Sequence, residues 1–413
     1  MLFTVKATYF PALLLHFLPG TLVSQTILLG CAILPLFKWR DLQRYRIQAL
    51  YVVTVLPMAL LGYVAVQKFF ALGYSLTEIG VDLALYLGLF GFFYGVLIAE
   101  QVNQVVIERV LWILLTCVLV HASGLVEAYI RYYFLALPIL TVVAVASLIG
   151  SQKKIVSRPL IISPLLFAPL MVFGRLEVTF TLLLTVLVAL LIILSNRFWR
   201  DFFLGISTGK VLCGVAISVM FYVMITAGER GASGYLASNL RDVESWSDIF
   251  SALEFKAFGD RGVLWTGTWE TLVYANNVFP PIHPPLVEFK PLRGSMQEVT
   301  YGAHNIGLEL LRQYGFAVGF VGISLYLLMV GHAGKIFMSR SSNYLSMTVG
   351  AVVMANAVVG GLVGQFVLMN NFSYLLMGLL GVVFGQSSSG ERWPFRRGDK
   401  ANGTKAVTFI MKR

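Results

Sequence analysis

Two short stretches, GDRGVLWTGTWE from Gly259 and AHNIGLELLRQYG from Ala303, hold the residues of this chain best suited to chemistry. In the first, Arg261 follows Asp260, and Leu264, Trp265 and Thr268 recur at helical spacing. That pattern predicts a short amphipathic helix with Asp260 as N-cap and Arg261 in its first turn. Free backbone N–H groups, the positive end of the helix dipole and a planar guanidinium then converge on one anion, with a phosphate as the natural match. In the second stretch, His304 and Asn305 stand where a polar loop passes into an apolar helix. A histidine in the first turn of a helix has its cationic form disfavoured, so it is held neutral and can accept a proton.

The elements that must position these residues belong in a membrane. Of 413 residues, 58% are hydrophobic and 12% charged, and the mean hydropathy is +0.79; a soluble surface of that size needs about twice the charge. Cys31, Cys117 and Cys213 lie far apart in apolar runs, which indicates neither a disulfide framework nor a thiolate metal site. The net charge of +11 fits basic residues gathered on cytoplasmic loops better than it fits a nucleic-acid partner, and none is expected.

MLFTVK carries no cleavage pattern, so no cleaved signal peptide is expected. Residues 8–37 are too long for one straight helix and are interrupted at Pro19-Gly20, so they form one or two membrane segments. Further spans are predicted at 48–66, 83–99, 110–126, 133–149, 160–173, 177–195, 210–227, 305–331, 344–363 and 370–386, which makes eleven or twelve in an all-α, polytopic fold. Inward loops collect Arg40, Arg44, Lys153, Lys154, Arg197, Arg200, Lys335 and Arg340, whereas the short outward loops hold Lys68, Arg131 and Arg175 alone. The division is an N-terminal bundle over 1–227, a large outer loop over 228–304, C-terminal spans over 305–386 and a basic cytoplasmic tail over 387–413. Within the loop, Ser245-Trp246-Ser247-Asp248 reads as a capping box and PPIHPP around His283 as an extended crossing. Gly315 with Gly319, Gly91 with Gly95 and Gly360 with Gly364 read as close helix contacts. His16, His121 and His332 read as structural.

Gly174-Arg175 opening a transmembrane helix, Asp260-Arg261 with Trp265 in a large outer loop, and His304-Asn305 before a Leu-rich helix with Gly315 and Gly319 resemble the O-antigen ligase and polymerase superfamily of bacterial membrane glycosyltransferases. The similarity runs from Gly174 to about Ile323. It implies a glycosyltransferase-C type fold in the bacterial inner membrane with its active site on the periplasmic face. The implied reaction is a metal-independent, inverting transfer of a glycan from an undecaprenyl diphosphate carrier to lipid A-core or a growing glycan. Membrane lipids and a chain-length regulator protein are the implied partners, and no cofactor is expected.

On this reading Arg175, Arg261 and Arg293 bind the diphosphate and stabilise its developing charge, and His304 takes the acceptor's proton. Trp265 and Asn305 line the substrate site, Asn305 orienting the helix start or a sugar hydroxyl. Each residue has a plainer role open to it: Arg175 as a snorkelling interfacial arginine, Arg261 in a surface ion pair, His304 as a helix cap, Trp265 and Trp269 as interfacial anchors. A transporter or lipid flippase and a non-catalytic envelope scaffold are the competing classes; the spans look nearly free of ionisable residues, which speaks against the transporter. The charge pattern makes an orientation testable. A cysteine placed at Ser251 is expected to react with a membrane-impermeant reagent on intact cells and one at Ser389 is not; labelling of the tail position would overturn the topology.

Overall fold

The computed structural model describes residues 22–122, 131–149, 156–163, 176–196, 260–289, 297–299, 303–339, 344–363 and 370–389. The helices are α1 (Leu22–Phe37), α2 (Trp39–Arg44), α3 (Gln48–Val55), α4 (Met58–Leu72), α5 (Leu76–Gly88), α6 (Gly91–Ile98), α7 (Gln104–Ala122), α8 (Arg131–Ile149), α9 (Leu176–Ser195), α10 (Asp260–Ala275), α11 (Ile306–Ser339), α12 (Tyr344–Val363) and α13 (Asn370–Ser389). Residues 158–163 are helical as well. Beside the helices the segment between α10 and α11 contains an antiparallel pair of three-residue strands, β1 (Val287–Phe289) and β2 (Gln297–Val299), with Glu288 opposite Glu298.

Among the described residues three helical runs are long and apolar enough to cross a membrane, Gln48–Leu72, Ile306–Met338 and Tyr344–Leu362, and α5 with α6 make a fourth if the bent pair is one span. The expected span at 83–99 is thus not straight: its two helices meet at an angle of 56°. The expected span at 48–66 is α3 followed by α4, with Pro57 between them supplying no N–H to a continuous ladder. The predicted spans at 8–37 and 160–173 are described only in part, and those over 210–227 and the Ser245 capping box lie outside the described residues.

The bend between α5 and α6 is the centre of the packing. Every residue from Ala84 to Val96 is buried, so this stretch is apolar all round because it meets protein on all sides. Against it lies α13 at backbone contact distance. A Cβ on Gly91 would overlap the Tyr374 carbonyl, one on Gly95 the Gly378 carbonyl, and one on Gly381 the Phe92 carbonyl. Small residues at such an interface let backbones approach closely where lipid offers no hydrophobic drive to association. Gly91 and Gly95 therefore act as their spacing suggests. In α12 Gly361 meets the Tyr326 side chain of α11, while Gly364 lies outside the described residues.

Where α4 turns into α5 the sequence writes its own punctuation. Gly73 ends α4 in the left-handed conformation, and Ser75 with Glu78 forms a capping box at the start of α5. Lys68, read above as lying on an outward loop, is instead inside α4, 4% exposed, with its Nζ 2.5 Å from Asp82 Oδ2 of α5. An ammonium taken out of water needs a partner, and the tight turn brings the aspartate within reach. On the outer faces of α3 and α4, Val52, Val53, Leu56, Leu60, Val66, Phe69 and Phe70 are exposed. So broad an apolar face belongs against hydrocarbon rather than water.

These contacts give a paired expectation for glycine substitutions. Gly95→Ala drives a methyl into the Gly378 carbonyl and should cost about 1–3 kcal/mol or more of stability in detergent. Gly62→Ala, in open space within α4, should be neutral or gain up to about 1 kcal/mol. Equal melting temperatures for the two variants would contradict the close packing of α6 on α13.

Candidate functional site

The site is built on a helix that does not continue. Gly315 lies inside α11 with φ 69° and ψ 175°. A Cβ on Gly319 would stand 2.8 Å from Leu311 Cα, one on Gly322 3.3 Å from the Leu310 side chain, and one on Gly307 3.7 Å from Ile323. In a straight helix Gly307 and Ile323 would be about 24 Å apart. Thus α11 is a hairpin, and the single span expected over 305–331 is corrected to two arms. The short arm, 306–314, is about 13 Å long and doubles back on the long arm, 316–339, whose length of about 36 Å suffices to cross a bilayer.

The segment after α10 closes the tip of the hairpin. Phe316 N–H donates to the Asn277 carbonyl at 2.9 Å and Ala317 N–H to Val278 at 2.8 Å, so loop carbonyls satisfy the first donors of the long arm. The Phe279 carbonyl lies where a Gly315 Cβ would be, and the positive φ independently favours glycine. Tyr314 beside it donates to the Asp82 carbonyl at 2.8 Å and accepts from Tyr86 N–H at 3.1 Å, which fixes the tip to α5. The loop is also held through Tyr74, whose hydroxyl is 3.0 Å from His283 Nδ1.

Inside the short arm is a buried ion pair. Glu309 accepts from Arg312 Nε at 2.9 Å and Nη2 at 2.6 Å, from Gln313 Nε2 at 2.7 Å and from Ala303 N–H at 3.2 Å. Arg312 Nη1 donates to the Pro285 carbonyl at 3.0 Å, and the two side chains are 1% and 5% exposed. A carboxylate offers about four acceptor positions, and here all are taken. Glu309 is therefore a structural anion with nothing left for proton transfer.

His304 follows directly on the Ala303 N–H that Glu309 holds. It precedes α11 rather than lying in its first turn as expected, because Asn305 takes the N-cap. Asn305 Oδ1 accepts from Gly307 and Leu308 N–H at 2.9 and 3.2 Å, and its Nδ2 donates to the Leu362 carbonyl of α12 at 3.3 Å. Clamped on both sides, His304 adopts φ 53°. That left-handed backbone costs a non-glycine residue of order 1–3 kcal/mol and persists only where the surroundings enforce it. With Gly307 beside Ile323 and Ile306 beside Gly361, His304 sits at the foot of the short arm, roughly 12 Å along the long arm from the tip.

Arg261 is the second residue of α10, a helix of 16 residues, longer than expected, which starts at Asp260 itself rather than being capped by it. Its register position belongs to the stripe of Leu264, Thr268 and Leu272, all buried, while Trp265 on the flank is half-buried. The Arg261 side chain lies outside the described residues, as do Arg175 and Arg293; α9 begins at Leu176, directly after Arg175. Of the sequence candidates, then, the structure sets His304 and Asn305 side by side. It adds Glu309, Arg312 and Gln313, which the sequence reading passed over although ELLRQ inside an apolar run was the signal: charges in spans pair and face inward. The spans are accordingly less free of ionisable groups than expected.

Removing one partner of this pair should be far worse than removing both. Glu309→Ala strands a buried guanidinium and should cost about 3–5 kcal/mol, whereas Glu309→Leu with Arg312→Met should recover most of that loss in thermal denaturation. Equal destabilisation by the single and double variants would show that the two side chains do not act as a pair.

No family model, curated protein or solved structure matches the chain.

Proposed function

We propose that this protein is a metal-independent, inverting glycosyltransferase of the O-antigen ligase or polymerase type. It moves a glycan from an undecaprenyl diphosphate carrier to lipid A-core or a growing glycan on the outer face of the bacterial inner membrane. This reading carries with it eleven or twelve spans in a glycosyltransferase-C type arrangement and a chain-length regulator as a partner in polymerisation. The observation that supports it best is His304, held in a left-handed conformation by Glu309 through Ala303 and by Asn305 through the helix cap. Strain kept at one imidazole by so many bonds is the mark of a side chain whose aim matters.

In the reaction the acceptor hydroxyl attacks the anomeric carbon from the face opposite the diphosphate. The new carbon–oxygen bond forms as the bond to the phosphate oxygen breaks, and the electron pair leaves with the diphosphate. Arg261, Arg175 and Arg293 stabilise that charge with fixed N–H donors, and His304 takes the proton released by the hydroxyl. Trp265 offers an aromatic face to a sugar ring. Asn305 has both ends of its side chain engaged at the helix start, so its part is to hold His304 in place.

A broken helix at Gly315, a bent pair at α5 and α6, and buried charges at Lys68 and Glu309 favour a second reading, a transporter or flippase of lipid-linked oligosaccharide. One set of variants separates the two. His304→Gly suits the local φ and should leave folding intact, while turnover falls about a hundredfold or more with donor binding unchanged. Arg261→Ala should lose donor binding, and Arg261→Lys should retain only part of it, because the ammonium lacks the planar fork. A well-folded His304→Gly that transfers glycan at more than about a tenth of the normal rate rules out general-base catalysis there, and carrier translocation in proteoliposomes without glycan transfer would establish the second reading.

A further inference from the structure

We propose that the flank of α10 carrying Trp269 and Val273 rests on the outer boundary of the bilayer, so that this helix lies along the lipid surface rather than in bulk water. The buried stripe of α10 is Leu264, Thr268 and Leu272. On the flank beside it Trp269 is 47% and Val273 55% exposed, and beyond them the exposed Thr266 and Glu270 make a polar edge, past which the exposed Tyr274 carries its hydroxyl. The Trp269 ring meets Phe316 edge-on at 6.4 Å, and Phe316 stacks on Phe320 at 6.0 Å. Phe320, itself exposed, heads a stripe that continues with Leu327 and Leu328 down the long arm of α11, the side that no helix among the described residues covers. The apolar surface therefore passes from the face left to hydrocarbon onto α10 through Phe316, with Ser324 the one exposed polar residue between Phe320 and Leu328.

Height points the same way. Val278 and Phe279 are exposed and belong to the segment whose carbonyls cap Phe316 and Ala317, where the long arm begins. A span begins at the level of the headgroups, and tryptophan and other aromatic rings collect there because they combine an apolar body with a polar edge. A helix with one apolar flank at that level and a polar edge facing away has the form of an in-plane interfacial helix. Lipid is the occupant that fits a surface running from Leu328 on the long arm to Val273 on α10. The inference holds whatever reaction the protein performs.

The test uses the full chain, with Cys31, Cys117 and Cys213 replaced by serine, in vesicles of phosphatidylethanolamine and phosphatidylglycerol. Nitroxides are placed singly at Trp269→Cys, Val273→Cys, Phe279→Cys, Glu270→Cys and Phe320→Cys, and their collision rates with oxygen and with a water-soluble nickel chelate are compared. The expected ratio of oxygen to nickel accessibility at 269, 273 and 279 approaches that at 320 and is several-fold above that at 270. Nickel accessibility at 269 and 273 equal to that at 270 would place the flank in water and overturn the proposal. Shielding of these positions from both reagents would mean a protein cover and overturn it equally. Because Val273 and Phe279 report independently, a disturbance caused by replacing Trp269 does not decide the outcome.

Discussion

A single carboxylate with every acceptor position filled governs the region where the hairpin of α11 meets the segment before it. Buried ion pairs contribute little net stability by themselves, since desolvation offsets most of their attraction. Their leverage lies in being all or none: Glu309 cannot give up Arg312, Gln313 or Ala303 singly without leaving charge or N–H groups bare in a dry interior. Through Arg312 the same pair reaches Pro285, so the Pro-rich segment, the residue before His304 and the short arm of α11 form one bonded unit. Nothing so small in sequence ties so many separate segments together elsewhere among the described residues.

Glycine supplies the complementary constraint. At the α6 and α13 contact its lack of a side chain sets how near two backbones come, and at Gly315 it sets the direction of the chain. Both effects work where apolar side chains are abundant and therefore poor at specifying one arrangement over another. Backbone shape carries the specificity that a soluble core gains from contrast with water.

Hydropathy made the helical, membrane-suited character of the chain plain, because period and length are local properties. The Gly91 and Gly95 contact and the loop-to-helix junction at Asn305 were legible for the same reason. The reversal at Gly315 was not, since a helix of apolar residues reads alike whether or not one glycine turns it, and the decisive contacts come from Asn277 and Val278, more than thirty residues away. Lys68 was misplaced because a lone lysine near a predicted span end looks like a loop residue until Asp82 is brought beside it. His304 shifted by one position because Asn305, the better cap, took the place that the reading had given to the histidine.

The hairpin in α11 also orders events during synthesis. The carbonyls of Asn277 and Val278, which the long arm needs at its start, have left the ribosome before Phe316 does, so the tip can close as soon as it appears. The foot of the short arm has no such advantage. Its clasp from Asn305 to the Leu362 carbonyl waits until α12 has been made, 57 residues later. A chain stopped before α12 thus carries the histidine without the fastening that α12 gives to its cap.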